Sequence, residues 1–204
     1  MPYTQSQFIA KYLPPVKKAL QGTGITPELT IAQAILESSG KIDGTWYVGG
    51  SSLARKYNNY FGVKAGSSWT GEKVKLPTRE VVNGKNVMVD AYFRVYPSIE
   101  ASIVDHGKVL LKNWPNIVTT DDPKQQVKIL QAKANKKYAT DPNYVSAVSK
   151  LIDLIRGNKT SSKSSDSDKN ILPEVVVSAK PTYYRFAAIL AGVAFVGYLA
   201  NNRN

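Results

Sequence analysis

The chain of 204 residues contains no cysteine and only one histidine. Without cysteine there can be no disulfide, thiolate zinc site, iron–sulfur cluster or cysteine nucleophile. A single histidine also excludes a metal centre built from several histidines. We therefore expect no cofactor and no metal, and we expect acid–base chemistry to be carried by Glu, Asp, Lys or Tyr side chains.

Acidic residues are scarce as well, with 15 Asp and Glu against 27 Lys and Arg and a net charge of +12. Residues 1–156 hold +9 of this charge. A basic excess favours an acidic partner, such as nucleic acid, anionic lipid or an acidic polymer. The lysines are scattered, without interleaved aromatic residues or a recognisable binding motif, so we expect no nucleic-acid partner.

Long apolar runs are missing except near the C-terminus. Residues 157–170 contain no apolar side chain, which is typical of a flexible linker. Residues 186–200 carry no charge and as a helix would span about 22 Å, less than the ~30 Å hydrocarbon core. We expect three parts: a domain at 1–156, a polar linker at 157–182 and a membrane anchor at 183–204. The alternative for the last part is a buried helix.

The N-terminal residues do not have the pattern of a secretion signal. The early apolar run is interrupted by Pro14 and Pro15 and contains Lys11, Lys17 and Lys18. No signal peptide is therefore expected.

The body is predicted to be mainly helical with one inserted β-hairpin lobe, an α+β fold. Asn83-Gly84 lies between valine-rich runs, which is the strongest short signal for a hairpin. Proline after a capping side chain marks three helix starts, at Thr26-Pro27, Asp122-Pro123 and Asp141-Pro142. The expected helices are 5–21, 27–38, 52–57, 98–113, 123–134 and 142–156.

Glu37 is the first candidate for catalysis. It falls in the last turn of an otherwise apolar helix that ends at Ser38-Ser39-Gly40. Desolvation at such a rim, and the negative end of the helix dipole, both raise the pKa of a carboxyl group towards that of a general acid. The alternative is a solvated glutamate at a helix end.

Several short motifs extend this pattern in sequence order, at 34–38, 53–54, 59–64, 77–80, 83–84, 93–96, 105–106 and 138–144. Together they resemble the glucosaminidase domain of glycoside hydrolase family 73, a lysozyme-like group of bacterial and phage wall hydrolases. The resemblance covers residues 5–156 and implies a lysozyme-like helical domain with a β-lobe beside the substrate cleft.

The resemblance implies roles for individual residues. Glu37 matches the catalytic acid and Glu80 the second acidic residue, on the hairpin lobe. An alternative for Glu80 is a surface glutamate paired with a neighbouring cation, and Glu72 and Asp90 are other acids in that region. Tyr138 matches the tyrosine that lines the site, with core packing as its alternative.

The resemblance also implies a cleft wall at residues 59–61, where Asn59 and Tyr60 are expected to touch substrate and Phe61 to pack in the core. Residues 41–50 lengthen the passage after the acid relative to many family members. Trp46 and Tyr47 there are expected either to form an extra sugar platform or to cover the core. His106 is expected to be structural.

The predicted function is hydrolysis of the peptidoglycan glycan strand by an endo-β-N-acetylglucosaminidase. A muramidase or a lytic transglycosylase on the same scaffold is the alternative, as is a non-catalytic wall- or membrane-binding module. Peptidoglycan is the expected partner. We hypothesise a phage or virion-associated enzyme held in a viral or host membrane; a cellular autolysin is the other reading. The oligomeric state is not predicted.

Overall fold

The computed structural model describes the backbone of residues 2–82, 85–132 and 137–161. The side chains of residues 79–82, 85–86 and 158–161 are outside that description. The expected anchor at 183–204 and most of the expected linker lie outside the described residues. Within residues 2–161, gaps excepted, no helix is long and apolar enough to cross a membrane.

Six α-helices and two small hairpins make up the described part of the chain. The helices are α1 Gln5–Ala19, α2 Pro27–Ser38, α3 Ser52–Tyr57, α4 Ile99–Asn113, α5 Pro123–Ala132 and α6 Tyr144–Ser161. A 3-10 turn, Pro115–Thr119, connects α4 to α5. The mainly helical prediction is confirmed, and α6 continues five residues past the expected end at 156.

Helix α2 lies at the centre of the hydrophobic core. Eight of its twelve residues are buried, and it packs against α1, α5 and α6. An amphipathic surface helix buries only one face, so a helix buried nearly all round must be enclosed by others. This central position places its C-terminal residue pair, Glu37 and Ser38, at the end of the core.

The start of α2 is fixed by a contact that differs from the expected cap. The Thr26 side chain makes no capping hydrogen bond and instead donates through Oγ1 to Gln126 Oε1 at 2.7 Å. The Thr26 N–H donates to the same oxygen at 3.0 Å. Gln126 on α5 therefore replaces the side-chain cap and ties α2 to α5.

The larger hairpin pairs β3 Lys73–Val82 with β4 Lys85–Arg94 in antiparallel register, as predicted around residues 83–84. Ion pairing joins its base to the body: Arg94 Nη1 lies 2.6 Å from Asp105 Oδ2 on α4. Tyr96 Oη donates to the same carboxylate oxygen at 2.6 Å. Towards the other end of the hairpin, the side chains of Val87, Met88 and Val89 are exposed.

The prediction of one hairpin is wrong, because residues 40–47 form a second. β1 Gly40–Ile42 pairs with β2 Thr45–Tyr47 across Asp43 and Gly44. Both turn residues have positive φ, 49° and 84°, as a two-residue hairpin turn of the mirror-image type requires. The Asp43-Gly44 pair is itself a sequence signal for such a hairpin.

Candidate active site

Glu37 lies in the last turn of α2 and is partly exposed, whereas Leu29, Ile31 and Ile35 on the same helix are fully buried. Loss of hydration raises the pKa of the Glu37 carboxyl group to about 8. Such a group keeps its proton at neutral pH while part of its surface is open to a ligand. These are the two properties that a general acid needs.

The helix end that carries Glu37 is held by hydrogen bonds from the next segment. Ser38 Oγ donates to the Ala34 carbonyl at 2.6 Å and accepts the Gly49 N–H at 2.9 Å. The Ser51 N–H donates to the Ser38 carbonyl at 2.9 Å. These bonds fix the backbone on the C-terminal side of the acid.

Three glycines allow the small hairpin to close against this helix end. Gly40 and Gly50 pass each other so closely that a Cβ on Gly40 would lie 2.6 Å from the Gly50 carbonyl carbon. Gly49 has a φ of +73°, and a Cβ there would meet the Tyr60 hydroxyl at 2.6 Å. The segment after the acid is thus closely packed.

A row of buried polar side chains borders the core near Glu37. Gln33, one helical turn before the acid, donates from Nε2 to Tyr144 Oη at 2.8 Å. Tyr138 Oη lies 3.1 Å from His106 Nε2. Desolvation by burial raises the pKa values of the Tyr138 and Tyr144 phenols well above the ordinary value. The charge of Glu37 raises both pKa values further. The carboxyl group and the two phenols therefore share one electrostatic environment.

Tyr138, the expected site tyrosine, is only 2% exposed. Its ring packs against Trp114 at 5.6 Å and Tyr144 at 5.3 Å between ring centroids, so it has no free face for a sugar ring. Its hydroxyl group lies within hydrogen-bond distance of His106, and the charge of Glu37 raises the pKa of its phenol. The structure thus brings Tyr138 into the surroundings of the acid as a buried side chain.

Asn59, an expected substrate contact, is 1% exposed. Its Nδ2 donates to the Val63 and Arg94 carbonyls, both at 2.9 Å, and its Oδ1 accepts the Val63 N–H at 3.0 Å. With its amide group occupied in this way, Asn59 joins the cleft-wall segment to the end of β4 and has no polar atom left for a sugar.

Tyr60, the other expected wall contact, is also buried. Its ring stacks on Phe8 at 5.9 Å, and its backbone N–H donates to Ser102 Oγ at 3.3 Å. Burial raises the pKa of its phenol to about 12. The Tyr60 hydroxyl group packs against Gly49, in the segment that follows the small hairpin.

Trp46 and Tyr47 lie on β2 and are both half-buried. Trp46 pairs across the hairpin with Lys41, whose Nζ lies 5.6 Å from the centre of the indole ring. A half-open indole with an ammonium group beside it, on a hairpin that follows the acid directly, is suited to an acidic sugar.

Glu80 lies in β3, where its backbone pairs with Val87, and its side chain is outside the described part. Of the two alternative hairpin acids, Asp90 makes an exposed ion pair with Lys75 at 3.1 Å. Glu72 precedes β3 and is exposed. The second carboxylate is therefore still a prediction.

A groove of about 680 Å³ lies between α4 and the residues that flank the large hairpin. Trp69, Tyr96, Val104 and Lys108 contribute to its walls, and Glu37 does not. One face of Trp69 is occupied by the Arg94 guanidinium, 4.5 Å from the ring centre.

Sequence reasoning missed Gln33 and Tyr144, and assigned His106 to structure. A polar residue four positions before Glu37, in a helix of apolar residues, was a usable signal for Gln33, because residues four apart share a helix face. Tyr144 belongs to the motif at residues 138–144, in which only Tyr138 carries an expected role.

Comparison with known proteins assigns the family. The glucosaminidase family model, described as "Mannosyl-glycoprotein endo-beta-N-acetylglucosaminidase", matches residues 13–159, which is well over half of the chain. The chain belongs to the glucosaminidase family. The resemblance noted in the sequence is thereby confirmed. The matched region includes α2, the hairpin lobe and α6 as far as residue 159.

Two curated relatives illustrate the similarity. The peptidoglycan hydrolase FlgJ of Pseudomonas aeruginosa is 35% identical over 146 residues, covering 71% of this chain and 35% of FlgJ. The exo-glucosaminidase LytG of Bacillus subtilis is 35% identical over 136 residues, covering 63% of this chain and 44% of LytG. The chain thus spans between a third and half of the length of these relatives.

Solved structures agree with the fold of this glucosaminidase-family domain. The catalytic domain of the autolysin Auto from Listeria monocytogenes superposes with a TM-score of 0.61 at 27% identity, covering 78% of this chain and 88% of that domain. Its lysozyme-like architecture confirms the predicted fold class for the body of the chain.

Proposed function

We propose that this glucosaminidase-family chain hydrolyses the glycan strand of peptidoglycan, cutting after N-acetylglucosamine with Glu37 as the general acid. One observation carries the proposal. The Glu37 carboxyl group lies partly open at the end of a buried helix, and loss of hydration raises its pKa to about 8. The peptidoglycan hydrolase FlgJ and the exo-glucosaminidase LytG support the substrate class.

In the proposed reaction, the protonated Glu37 carboxyl group donates its proton to the glycosidic oxygen as the bond from C1 to that oxygen breaks. Water adds to C1 and leaves a new reducing end, and its proton passes to a base. Catalysis of this type contributes roughly 10²- to 10⁴-fold to the rate. The net charge of +12 supports binding to a polymer that carries stem-peptide carboxylates.

The second carboxylate decides the stereochemical course. A pair about 5 Å apart suits a retaining route, and a pair roughly 6.5–9.5 Å apart suits an inverting one. We propose Glu80 for this role because of its place in the hairpin lobe. If a distant Glu80 does not take part, the N-acetyl group of the substrate acts in its place.

Digestion of purified sacculi by the full chain tests the bond and the reaction type. After borohydride reduction, mass spectrometry of the products is expected to show N-acetylglucosaminitol at the new ends. Muramitol ends would establish a muramidase instead, and anhydro-muramic acid ends a lytic transglycosylase. A relative from Lactococcus lactis that is 34% identical is named as a probable N-acetylmuramidase. A muramidase is therefore the first alternative that this assay must exclude.

A matched pair of variants tests the role of Glu37 in the same assay. Glu37→Gln keeps the shape of the side chain and removes its proton, so cleavage should fall about 100-fold or more. Glu28→Gln, at the first turn of the same helix, should digest sacculi at the unaltered rate. Undiminished cleavage by Glu37→Gln would contradict the proposal, and absence of cleavage by the unaltered chain would favour a binding module.

We further propose that residues 183–204 attach the enzyme to a membrane, on the strength of the uncharged run at 186–200. The full chain should float with lipid vesicles in a density gradient, and a chain that ends at residue 182 should not. Equal flotation of both would contradict the anchor. The virion or host-membrane setting remains a prediction.

A further inference from the structure

Residues 2–4, which we call the strap, pair with the chain directly after the small hairpin. The Tyr3 N–H donates to the Val48 carbonyl at 3.0 Å, and the Val48 N–H donates to the Tyr3 carbonyl at 2.8 Å. Two residues that exchange both hydrogen bonds form an antiparallel β-bridge. The strap is therefore bonded to the backbone one residue past the end of β2.

The local sequence explains why the strap takes this position. Thr4, the N-cap of α1, accepts the Gln7 N–H at 3.2 Å through Oγ1, and its own N–H donates to Gln7 Oε1 at 3.0 Å. Tyr3, just before this capping box, packs its ring against Phe8 with centroids 6.1 Å apart. Apolar side chains at these two positions form a hydrophobic staple, which fixes the direction from which the chain enters the helix.

The side chain of Tyr3 is also held at its hydroxyl end. Its Oη accepts a hydrogen bond from Lys11 Nζ at 2.8 Å, which lowers the pKa of the phenol. The same ammonium group lies 4.9 Å from the centre of the Tyr3 ring, and Tyr12 meets that ring edge-on at 5.6 Å. The strap is therefore fixed to the first two turns of α1.

The segment that the strap holds is the one that holds the end of α2. Gly49 follows Val48 directly, and its N–H donates to Ser38 Oγ at 2.9 Å. The Ser51 N–H donates to the Ser38 carbonyl at 2.9 Å. Ser38 is the last residue of α2 and the covalent neighbour of Glu37. An unbroken series of hydrogen bonds and covalent bonds thus leads from the strap to the backbone of the acid.

A second route reaches Gly49 through aromatic side chains. The Phe8 ring, against which Tyr3 packs, stacks on Tyr60 with centroids 5.9 Å apart. A Cβ at Gly49 would lie 2.6 Å from the Tyr60 hydroxyl group, so this hydroxyl packs directly against the Gly49 backbone. Displacement of the strap would therefore loosen Gly49 both through its backbone neighbour and through its ring contact.

We propose that Tyr3 is a positioning residue of the active site, because its pairing with Val48 keeps residues 48–51 on Ser38 and so keeps the last turn of α2 in place for proton transfer. A reacting group must be held close to its working geometry, since a displacement of about 1 Å can cost roughly 100-fold in rate. The catalytic meaning rests on the proposed function, whereas the coupling of Tyr3 to Ser38 does not.

The first test is amide hydrogen exchange of the unaltered full chain, followed residue by residue by NMR. If the strap holds the segment, the N–H groups of Val48 and Gly49 open in one step, and their protection factors should agree within about tenfold. A larger difference in either direction would show that the bond to Tyr3 and the bond to Ser38 open independently, which would overturn the proposal.

The second test uses Tyr3→Pro and Tyr3→Phe as a matched pair. Proline has neither the N–H that pairs with Val48 nor an aromatic ring for the staple, whereas phenylalanine keeps both. In Tyr3→Pro the Gly49 amide should exchange about ten times faster or more. On soluble glycan fragments its kcat should fall about 10-fold or more with KM nearly unchanged.

Tyr3→Phe should keep at least about half of the kcat of the unaltered chain, because the backbone pairing and the ring contact remain. An unaltered kcat in Tyr3→Pro would overturn the proposal. An equal fall in both variants would overturn it as well, since the loss would then come from the hydroxyl group and not from the strap.

Val127→Ala separates positioning from a general loss of stability. Val127 is fully buried on α5 and belongs neither to the strap nor to residues 48–51. Its truncation lowers stability through lost core packing, and kcat should stay within about twofold of the unaltered value. A fall in kcat as large as that of Tyr3→Pro, at an equal loss of stability, would overturn the proposal. If Tyr3→Pro fails to fold, the exchange measurement on the unaltered chain decides.

These outcomes are separate from the test on sacculi. A chain that cleaves neither sacculi nor glycan fragments would refute the proposed function, and hydrogen exchange would still decide whether the strap holds Ser38. Conversely, an active enzyme in which Val48 and Gly49 exchange independently would refute only the positioning role of Tyr3.

Discussion

Arg94 at the end of β4 and Asp105 on α4 form an ion pair with an N–O distance of 2.6 Å, and both side chains are largely buried. Tyr96 donates to the same carboxylate oxygen, and Arg94 Nε donates to the Lys64 carbonyl at 3.2 Å. The pair therefore joins the hairpin lobe to the helix that carries His106, one residue further on.

Arg94→Ala should lower the free energy of unfolding by about 3 kcal/mol, because it leaves the largely buried Asp105 carboxylate without its cationic partner and with the hydrogen bond from Tyr96 remaining. Urea denaturation measures this change. Lys75→Ala is the matched control: it breaks the exposed Lys75–Asp90 pair, and it should cost less than about 1 kcal/mol. Equal losses in the two variants would show that the buried pair has no special part in holding the lobe.

Gly50→Ala should destabilise the segment that follows Glu37, since its Cβ would collide with the Gly40 carbonyl oxygen. The carbonyl oxygens of Gly40 and Tyr47, which lie nearest to that Cβ, belong to the backbone, so the clash cannot be relieved by a side-chain rotation. We expect a loss of roughly 2 kcal/mol or more in urea denaturation and lower activity on sacculi.

The control for this substitution is Gly157→Ala. No atom lies within 4 Å of a Cβ at that position in α6, and alanine favours a helix by about 1 kcal/mol over glycine. This variant should be as stable as the unaltered chain or slightly more so. A Gly50→Ala variant of unchanged stability would mean that the backbone segments at Gly40 and Gly50 separate without cost.

Trp46→Ala tests the small hairpin as a sugar platform. If the indole binds substrate equally before and during the reaction, KM should rise about 5- to 10-fold with kcat nearly unchanged. Soluble glycan fragments give the two constants separately. A fall in kcat with an unaltered KM would instead show that Trp46 acts by packing beside the acid.

The carboxyl group of Glu37 should make the stability of the protein depend on pH. Its folded pKa, about 8, lies above the value of 4.5 for a free glutamate, so the folded state holds the proton more tightly. The contribution of this proton to the free energy of unfolding is fully present below about pH 4.5. It is lost as the pH rises through 8, at about 1.4 kcal/mol for each pH unit between the two pKa values.

Glu37→Gln removes this dependence. It should therefore raise the melting temperature relative to the unaltered chain at pH 9, with a much smaller difference at pH 5. Calorimetry at the two pH values measures the contrast. The same difference at both values would mean that the pKa of Glu37 is not raised by folding.

The sequence predicts much of this fold because its local signals are strong. Proline at position 27 and the Ser38-Ser39-Gly40 end define α2 with the bounds that the structure has. The valine-rich runs around residues 83–84 likewise predict β3 and β4. These signals lie within a few residues of the elements they define, so no knowledge of tertiary packing is needed.

The surroundings of Glu37 are harder to predict, because they depend on distant residues meeting. Gln33 and Tyr144 are 111 positions apart, and His106 and Tyr138 are 32 apart. Composition and local sequence patterns do not indicate which distant residues will meet. For the same reason Asn59 was expected at the substrate, although its amide group is fully bonded to backbone groups of residues 63 and 94.

The account depends above all on the state of the Glu37 carboxyl group, which carbon-13 NMR of the full chain can follow between pH 3 and pH 10. We predict a titration midpoint near 8, so that the group is mostly protonated at neutral pH. A midpoint near 4.5, the value for a free glutamate, would show a solvated carboxylate and would contradict the assignment of Glu37 as the general acid.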